Sequence, residues 1–210
     1  DNGSLSKADT LTSGNSIKGQ LSSSSDRDVY SIITTSTGTI DINFDSPTDS
    51  WSDYFNIILW DGQNTVASQA TGKDTSFSAA VEAGTYYIYV DSSYYHTDQE
   101  YSLTATSAAG DISGYETENN GTLSTADVLS NNQELKGQIA TSTDIDFYKI
   151  NVGQAGVISL SFDAPTDSSY IDYFGIGLYN SLGTLIGHQQ TGKDASFSTG
   201  VDTAGTYYIG

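Results

Sequence analysis

The chain repeats itself, and the repeat fixes most of what it can fold into. Asn2-Gly3-Ser4-Leu5-Ser6 returns as Asn120-Gly121-Thr122-Leu123-Ser124, 118 residues later. Lys18-Gly19-Gln20-Leu21 and Lys136-Gly137-Gln138-Ile139 keep that offset, as do Pro47-Thr48-Asp49-Ser50 and Pro165-Thr166-Asp167-Ser168. The offset reaches 119 at Asp53-Tyr54-Phe55 and Asp172-Tyr173-Phe174, then 120 at Thr71-Gly72-Lys73-Asp74 and Thr191-Gly192-Lys193-Asp194. It is 121 at Ala83-Gly84-Thr85-Tyr86-Tyr87-Ile88 and Ala204-Gly205-Thr206-Tyr207-Tyr208-Ile209. Single-residue insertions in loops account for the drift. A period this long suits one small domain per copy and is too long for a solenoid.

Within each copy, apolar residues alternate with polar ones, the period of a half-buried strand. Ile40, Ile42 and Phe44 alternate with Asp41, Asn43 and Asp45, and Ile158, Leu160 and Phe162 repeat the pattern. Parity from Gly84 turns Tyr86, Ile88 and Val90 inward and leaves Tyr87 and Tyr89 outward. Helical turns are expected only at 4–11 and 122–129. The fold class is therefore all-β, as two tandem jelly-roll-like β-sandwiches related by internal duplication. The expected domains are 1–107 and 116–210, joined by a linker at 108–115. The second copy stops at Gly210, before its last strand or strands. The chain then reads as a window on a longer polypeptide with further flanking domains, or as one completed by a strand from elsewhere.

With 26 Asp+Glu against 7 Lys+Arg, the formal net charge is −19. That field repels nucleic-acid phosphates and anionic lipid but attracts divalent cations, so neither nucleic acid nor membrane insertion is expected. Cys and Met are absent, which removes disulfides, thiolate zinc sites and cysteine nucleophiles. No apolar run approaches the roughly 20 residues that span a bilayer. Asp1-Asn2-Gly3 does not open a signal peptide; either a signal was removed or export uses a distant one.

The acids gather in three loop families. Asp26-Arg27-Asp28 recurs as Asp144-Ile145-Asp146, and Glu116-Thr117-Glu118-Asn119-Asn120 shows the same alternation before copy two. Alternate residues of an extended segment share a face, so such pairs can converge on calcium, which takes six to eight oxygen ligands. Solvated acidic turns explain either segment equally well. The third family, Asp45, Asp49 and Asp53 with Asp163, Asp167 and Asp172, joins two core strands. Turn chemistry accounts for one or two of these acids. Three in a loop with no basic neighbour suggest a second calcium site.

Lys73 and Lys193 sit beside Asp74 and Asp194, either as local ion pairs or as anchors for a carboxylate ligand; the ion pair is the simpler reading. Trp60, Tyr87, Tyr89, Tyr94 and Tyr95 form a candidate aromatic recognition surface. No H-E-x-x-H, G-x-S-x-G, P-loop or dinucleotide fingerprint is present, and the chain is not expected to be an enzyme.

The order E-T-E-N-N at 116–120, T-A-D at 125–127, K-G-Q-I at 136–139, D-I-D-F-Y at 144–148 and A-G-T-Y-Y-I at 204–209 resembles the bacterial pre-peptidase C-terminal family. The collagen-binding domains of clostridial collagenases belong to the same group. The resemblance implies a calcium-binding β-sandwich with Glu116, Glu118, Asn120 and Asp146 at ligand positions and Asp144 close by. Gly121 departs from it, standing where the collagen-binding domains have an Asp ligand. Copy one lacks the E-x-E half, leaving Asn2, Asp26 and Asp28 as an incomplete site. The acidity and the P-T-D-S and T-G-K-D loops also look like segments of giant RTX adhesins. The expected role is thus a calcium-dependent module at the bacterial cell surface or outside the cell. It would bind a peptide or protein on a host or neighbouring cell, or alternatively serve a secreted peptidase as an accessory substrate-binding or spacer domain.

Overall fold

A computed structural model describes residues 2–210. The first copy supplies nine strands: β1 (Asp9–Thr10), β2 (Ser16–Gly19), β3 (Arg27–Thr34), β4 (Gly38–Asp45), β5 (Ser50–Trp60), β6 (Thr65–Gly72), β7 (Thr75–Val81), β8 (Gly84–Ser92) and β9 (Tyr101–Ala109). They form a five-stranded sheet, β1-β3-β8-β5-β6, and a four-stranded sheet, β2-β9-β4-β7. Pairing is antiparallel except between β1 and β3. A 3-10 turn at Leu5–Lys7 takes up part of the expected helical stretch.

Period-two alternation sends one face of each sheet into a shared core. Ile32, Ile57, Leu59, Ile88 and Val90 come from one sheet, and Ile40, Ile42, Phe44, Leu103 and Ala105 from the other, all essentially inaccessible to water. Each large apolar side chain buried this way contributes about 1.5–3 kcal/mol. The rings of Phe44, Phe55 and Tyr101 pack as a trio, with centroids 5.0, 5.2 and 5.8 Å apart.

The second copy supplies β10 (Asp127–Val128), β11 (Tyr148–Val152), β12 (Gly156–Phe162), β13 (Phe174–Tyr179), β14 (Leu185–Thr191), β15 (Ala195–Val201) and β16 (Gly205–Ile209). Its sheets are β10-β11-β16-β13-β14 and β12-β15. Each strand has its counterpart in copy one, and the registers agree: Asp9↔Tyr30 becomes Asp127↔Tyr148, and Ile40↔Ala79 becomes Ile158↔Thr199. Counterparts of β2 and β9 are absent among the described residues. Gly210 stands at the position of Tyr89, before the β9 counterpart begins. In copy one β2 pairs with β9 alone. Lys136 makes one parallel bridge to Tyr115.

By compactness the chain divides into 1–118 with 136–144, and 119–135 with 145–210. In the first unit Gln138 Nε2 donates to Ser68 O at 2.9 Å, and Ser68 Oγ donates to Ala140 O. Strand β9 runs through Ala109, taking in the first two residues of the 108–115 stretch. No helix among the described residues is long and apolar enough to cross a membrane.

Candidate metal centre

The D-x-D pair does not converge on one point in copy one. Asp26 caps the turn before β3: its Oδ2 accepts from Ser22 N at 2.8 Å and from Ser22 Oγ at 2.7 Å. These bonds favour the charged form and hold its carboxyl below the ordinary carboxylate range. Asp28 turns the other way, into the core, where it is 8% exposed. Its Oδ2 accepts from Tyr101 Oη at 2.6 Å, and the Tyr30 and Tyr101 hydroxyls lie 2.8 Å apart. Burial pushes the Asp28 carboxyl up, opposed by the Tyr101 hydrogen bond. Burial likewise raises the Tyr30 phenol to about 12. Asn2 Nδ2 donates to Val29 O at 3.4 Å rather than joining the two acids.

Copy two divides its acids the same way. Asp144 Oδ2 accepts from Ala140 N at 2.7 Å, repeating the Asp26 cap, and Asp146 is buried like Asp28. No counterpart of Tyr101 is present among the described residues. Glu116 is buried and Glu118 partly so. Glu116 Oε1 accepts from Gln138 N. Asn120 is fully buried; its carbonyl accepts from Phe147 N at 3.1 Å, and its Nδ2 lies 3.4 Å from Asp127 Oδ2. Asn120 thereby fastens the start of copy two beside Asp146.

Calcium takes six to eight oxygen ligands, and a set of oxygens without nitrogen or sulfur selects calcium or magnesium over zinc or copper. The carboxylates of Glu116, Glu118 and Asp146 have that chemistry.

The third acid family looks different in place. Its acids do not form a group of three within ligand distance among the described residues. The expectation that these loops lie away from bases is corrected by Lys73, whose Nζ is 3.8 Å from Asp49 and 3.2 Å above the Trp51 ring. Lys73 therefore does not pair with its neighbour Asp74. Asp74 Oδ1 accepts from Ser46 N at 2.9 Å, and Asp194 Oδ1 from Ala164 N at 3.0 Å. Thr48 and Thr166 hydroxyls donate to Gly72 and Gly192 carbonyls at 2.5 and 2.6 Å. At Gly72 and Gly192 a Cβ would run into the carbonyls of Ser52 and Ile171. The P-T-D-S and T-G-K-D motifs are thus two halves of one loop-to-loop staple, which is why they recur together. Asp45, Asp163, Asp167 and Asp172 are exposed. The Asp163 carboxyl is raised, because in its protonated form it donates a hydrogen bond to the Asp194 carboxylate. Asp53 contributes its carbonyl, which accepts from Tyr94 N and Tyr95 N, each at 3.1 Å. Lys193 Nζ lies 3.3 Å from Ser169 Oγ.

The five candidate aromatics fall into two sets of ring contacts. Trp60 packs against Tyr87 and Tyr89, with centroids 6.1 and 5.9 Å apart, and Arg27 lies over Tyr89 while bonding Asp91 at 2.6 Å. Tyr94 and Tyr95 project from the loop after β8; Tyr95 leans on Tyr54 at 5.4 Å. Sequence reasoning missed Trp51, the second residue of β5, and Tyr170, before β13, which are 93% and 99% exposed. The signal available was an aromatic beside the P-T-D-S motif in each copy.

Comparison with protein-family models returns no match, and no curated protein matches. Solved structures do. A pre-peptidase C-terminal domain of a collagenase from Bacillus anthracis is 28% identical, over 47% of this chain and 94% of that one, with a TM-score of 0.41. Tripeptidyl peptidase 2 matches at 8% identity over 96% of this chain, with a TM-score of 0.32. The chain spans 22% of that protein.

Proposed function

We propose that the chain is a non-catalytic, calcium-binding β-sandwich module acting outside the bacterial cell, with Glu116, Glu118 and Asp146 holding the ion. The observation that carries this reading is the burial of polar residues from both acidic motifs, Glu116 and Asn120 of E-x-E-N-N and Asp146 of D-x-D. The net charge of −19 supports it, because it concentrates divalent cations around the molecule. Calcium bound there would be a structural ion that neutralises the charge of buried acids. The half-buried rings of Trp60, Tyr87 and Tyr89, with exposed Tyr94 and Tyr95, then offer contact surface for a peptide or protein ligand, as in a surface adhesin. The E-x-E-N-N to D-x-D motif order favours a second reading, an accessory domain of a secreted peptidase.

Calorimetric titration of metal-stripped protein with calcium tests the proposal. Binding is expected in the wild type and in Asp49→Asn, and not in Asp146→Asn or Glu118→Gln. No heat and no shift in melting temperature with calcium would end it. Binding of cell-surface peptides against binding of unfolded protein substrates separates the adhesin from the peptidase reading.

A further inference from the structure

We propose that the outer face of the five-stranded sheet in copy one seats an extended segment of another polypeptide, one that carries two arginines about six residues apart. One guanidinium lies against Trp60 and Tyr87, the other against Tyr54 and Tyr95. The proposal rests on the reading of these aromatics as a ligand surface and supplies the chemistry of the ligand.

Parity builds the face. On β5, Phe55, Ile57 and Leu59 enter the core, so Tyr54, Asn56, Ile58 and Trp60 share the opposite side. On β8, Tyr86, Ile88 and Val90 point inward, and Tyr87, Tyr89 and Asp91 point out. The register sets Tyr87 beside Trp60 and Asp91 beside Asn56, and the Tyr95 ring lies 5.4 Å from that of Tyr54. The rings thus gather at the two ends of one strip, about 20 Å apart at the rise of a strand.

Between those ends the protein supplies its own example of what a ring on this face accepts. Arg27 lies 5.1 Å over the centre of the Tyr89 ring, and its Nε and Nη2 donate to Asp91 Oδ2 at 3.1 and 2.6 Å. Lys73 repeats the arrangement elsewhere, over Trp51 and beside Asp49. Among the described residues no Lys or Arg lies over Trp60, Tyr87, Tyr54 or Tyr95. The charge of the surrounding chain is complementary to a basic ligand: residues 74–109 contain Asp74, Glu82, Asp91, Asp98 and Glu100 and no Lys or Arg. A guanidinium is planar and weakly hydrated, so it stacks on such rings more readily than an ammonium does.

A Gly/Ser peptide with two arginines six residues apart is the probe. The chain has 2 Trp, so Trp51→Phe leaves Trp60 as the sole reporter. Titration is expected to change Trp60 emission and to show binding about tenfold tighter than that of a peptide of equal composition with its arginines two residues apart. The close pair reaches only about 7 Å and can occupy one end at a time. Tyr95→Ala, at a side chain 52% exposed, should bring the two peptides to similar affinity. Citrulline at both arginine positions should abolish binding. Equal binding of the citrulline peptide would overturn the arginine assignment while leaving a surface for neutral peptides. Equal affinity for the two spacings in the unaltered face would reduce the effect to general attraction by an acidic protein and overturn the proposal. No binding of any peptide by the folded chain would overturn both this proposal and the ligand-surface reading beneath it.

Discussion

Asp28 and Asp146 occupy the same place in two copies of one sandwich, and their surroundings answer the same physical problem differently. Both are buried carboxylates at the entrance to the first long strand. In copy one the carboxylate is answered by a hydroxyl: Tyr101 reaches across from β9 and donates at 2.6 Å. In copy two Asp146 is as deeply buried. A buried acid needs a donor or a cation, and under the proposal calcium would be the cation that answers it.

The largest expected contrast lies in the cores. Phe44→Ala removes a fully buried ring from a complete aromatic trio and should destabilise the first copy by about 3–5 kcal/mol. Phe162→Ala, at the equivalent place, should cost clearly less, because its ring is already partly in water. Chemical denaturation of both variants, followed by fluorescence, measures the difference; equal losses would mean that the two cores are equally closed.

Next in size is the effect of the cation. Calcium at a hundredfold excess over its dissociation constant should stabilise the protein by about 2.7 kcal/mol. Chelation should remove that increment in the wild type and change nothing in Asp146→Asn. Asp28→Asn should leave the calcium increment intact. An Asp28 variant that loses the calcium response would erase the distinction between the copies.

Tyr101→Phe sharpens the other side. It deletes the donor while leaving the ring, so Asp28 stays buried with its strongest partner gone; a loss of about 1–3 kcal/mol is expected. The double variant Tyr101→Phe with Asp28→Asn should recover part of it, since a neutral amide is cheaper to bury than an unanswered carboxylate. Thermal melts of the three variants provide the cycle.

The duplication, the strand alternation and the inward set Tyr86, Ile88 and Val90 were legible in the sequence because period and parity are local properties. The proposed ligands Glu116, Glu118 and Asp146 came from alternation and motif order together. Alternation alone paired Asp26 with Asp28 and Asp144 with Asp146, and in each pair the first acid caps the preceding turn instead. A strand's parity says which residues share a face, but not that a turn four residues upstream claims one of them. The P-T-D-S and T-G-K-D staple was illegible for a related reason. Its hydrogen bonds join residues 24 to 30 positions apart, and repetition marks such motifs as coupled without saying whether the coupling is through a metal or through each other.

The smallest expected effect follows from that division within the D-x-D pair, and it concerns pH. Asp28 has its carboxyl raised by burial, so in the folded protein it binds a proton more readily than in the unfolded chain. Its influence therefore favours folding increasingly as pH falls through its folded value towards the unfolded 3.8. Asp26 has its carboxyl lowered by the Ser22 hydrogen bonds, so its contribution is present above 3.8 and is lost as pH falls through its folded value. The two neighbours thus tilt the acid limb of the stability curve in opposite directions. Asp28→Asn should make the loss of stability on acidification steeper above pH 3.8, and Asp26→Asn should make it shallower below. Melting temperatures of both variants between pH 3 and pH 6, measured in chelator so that copy two contributes no metal response, decide it. Parallel curves for the two variants would mean that the two acids are not divided between turn and core in solution.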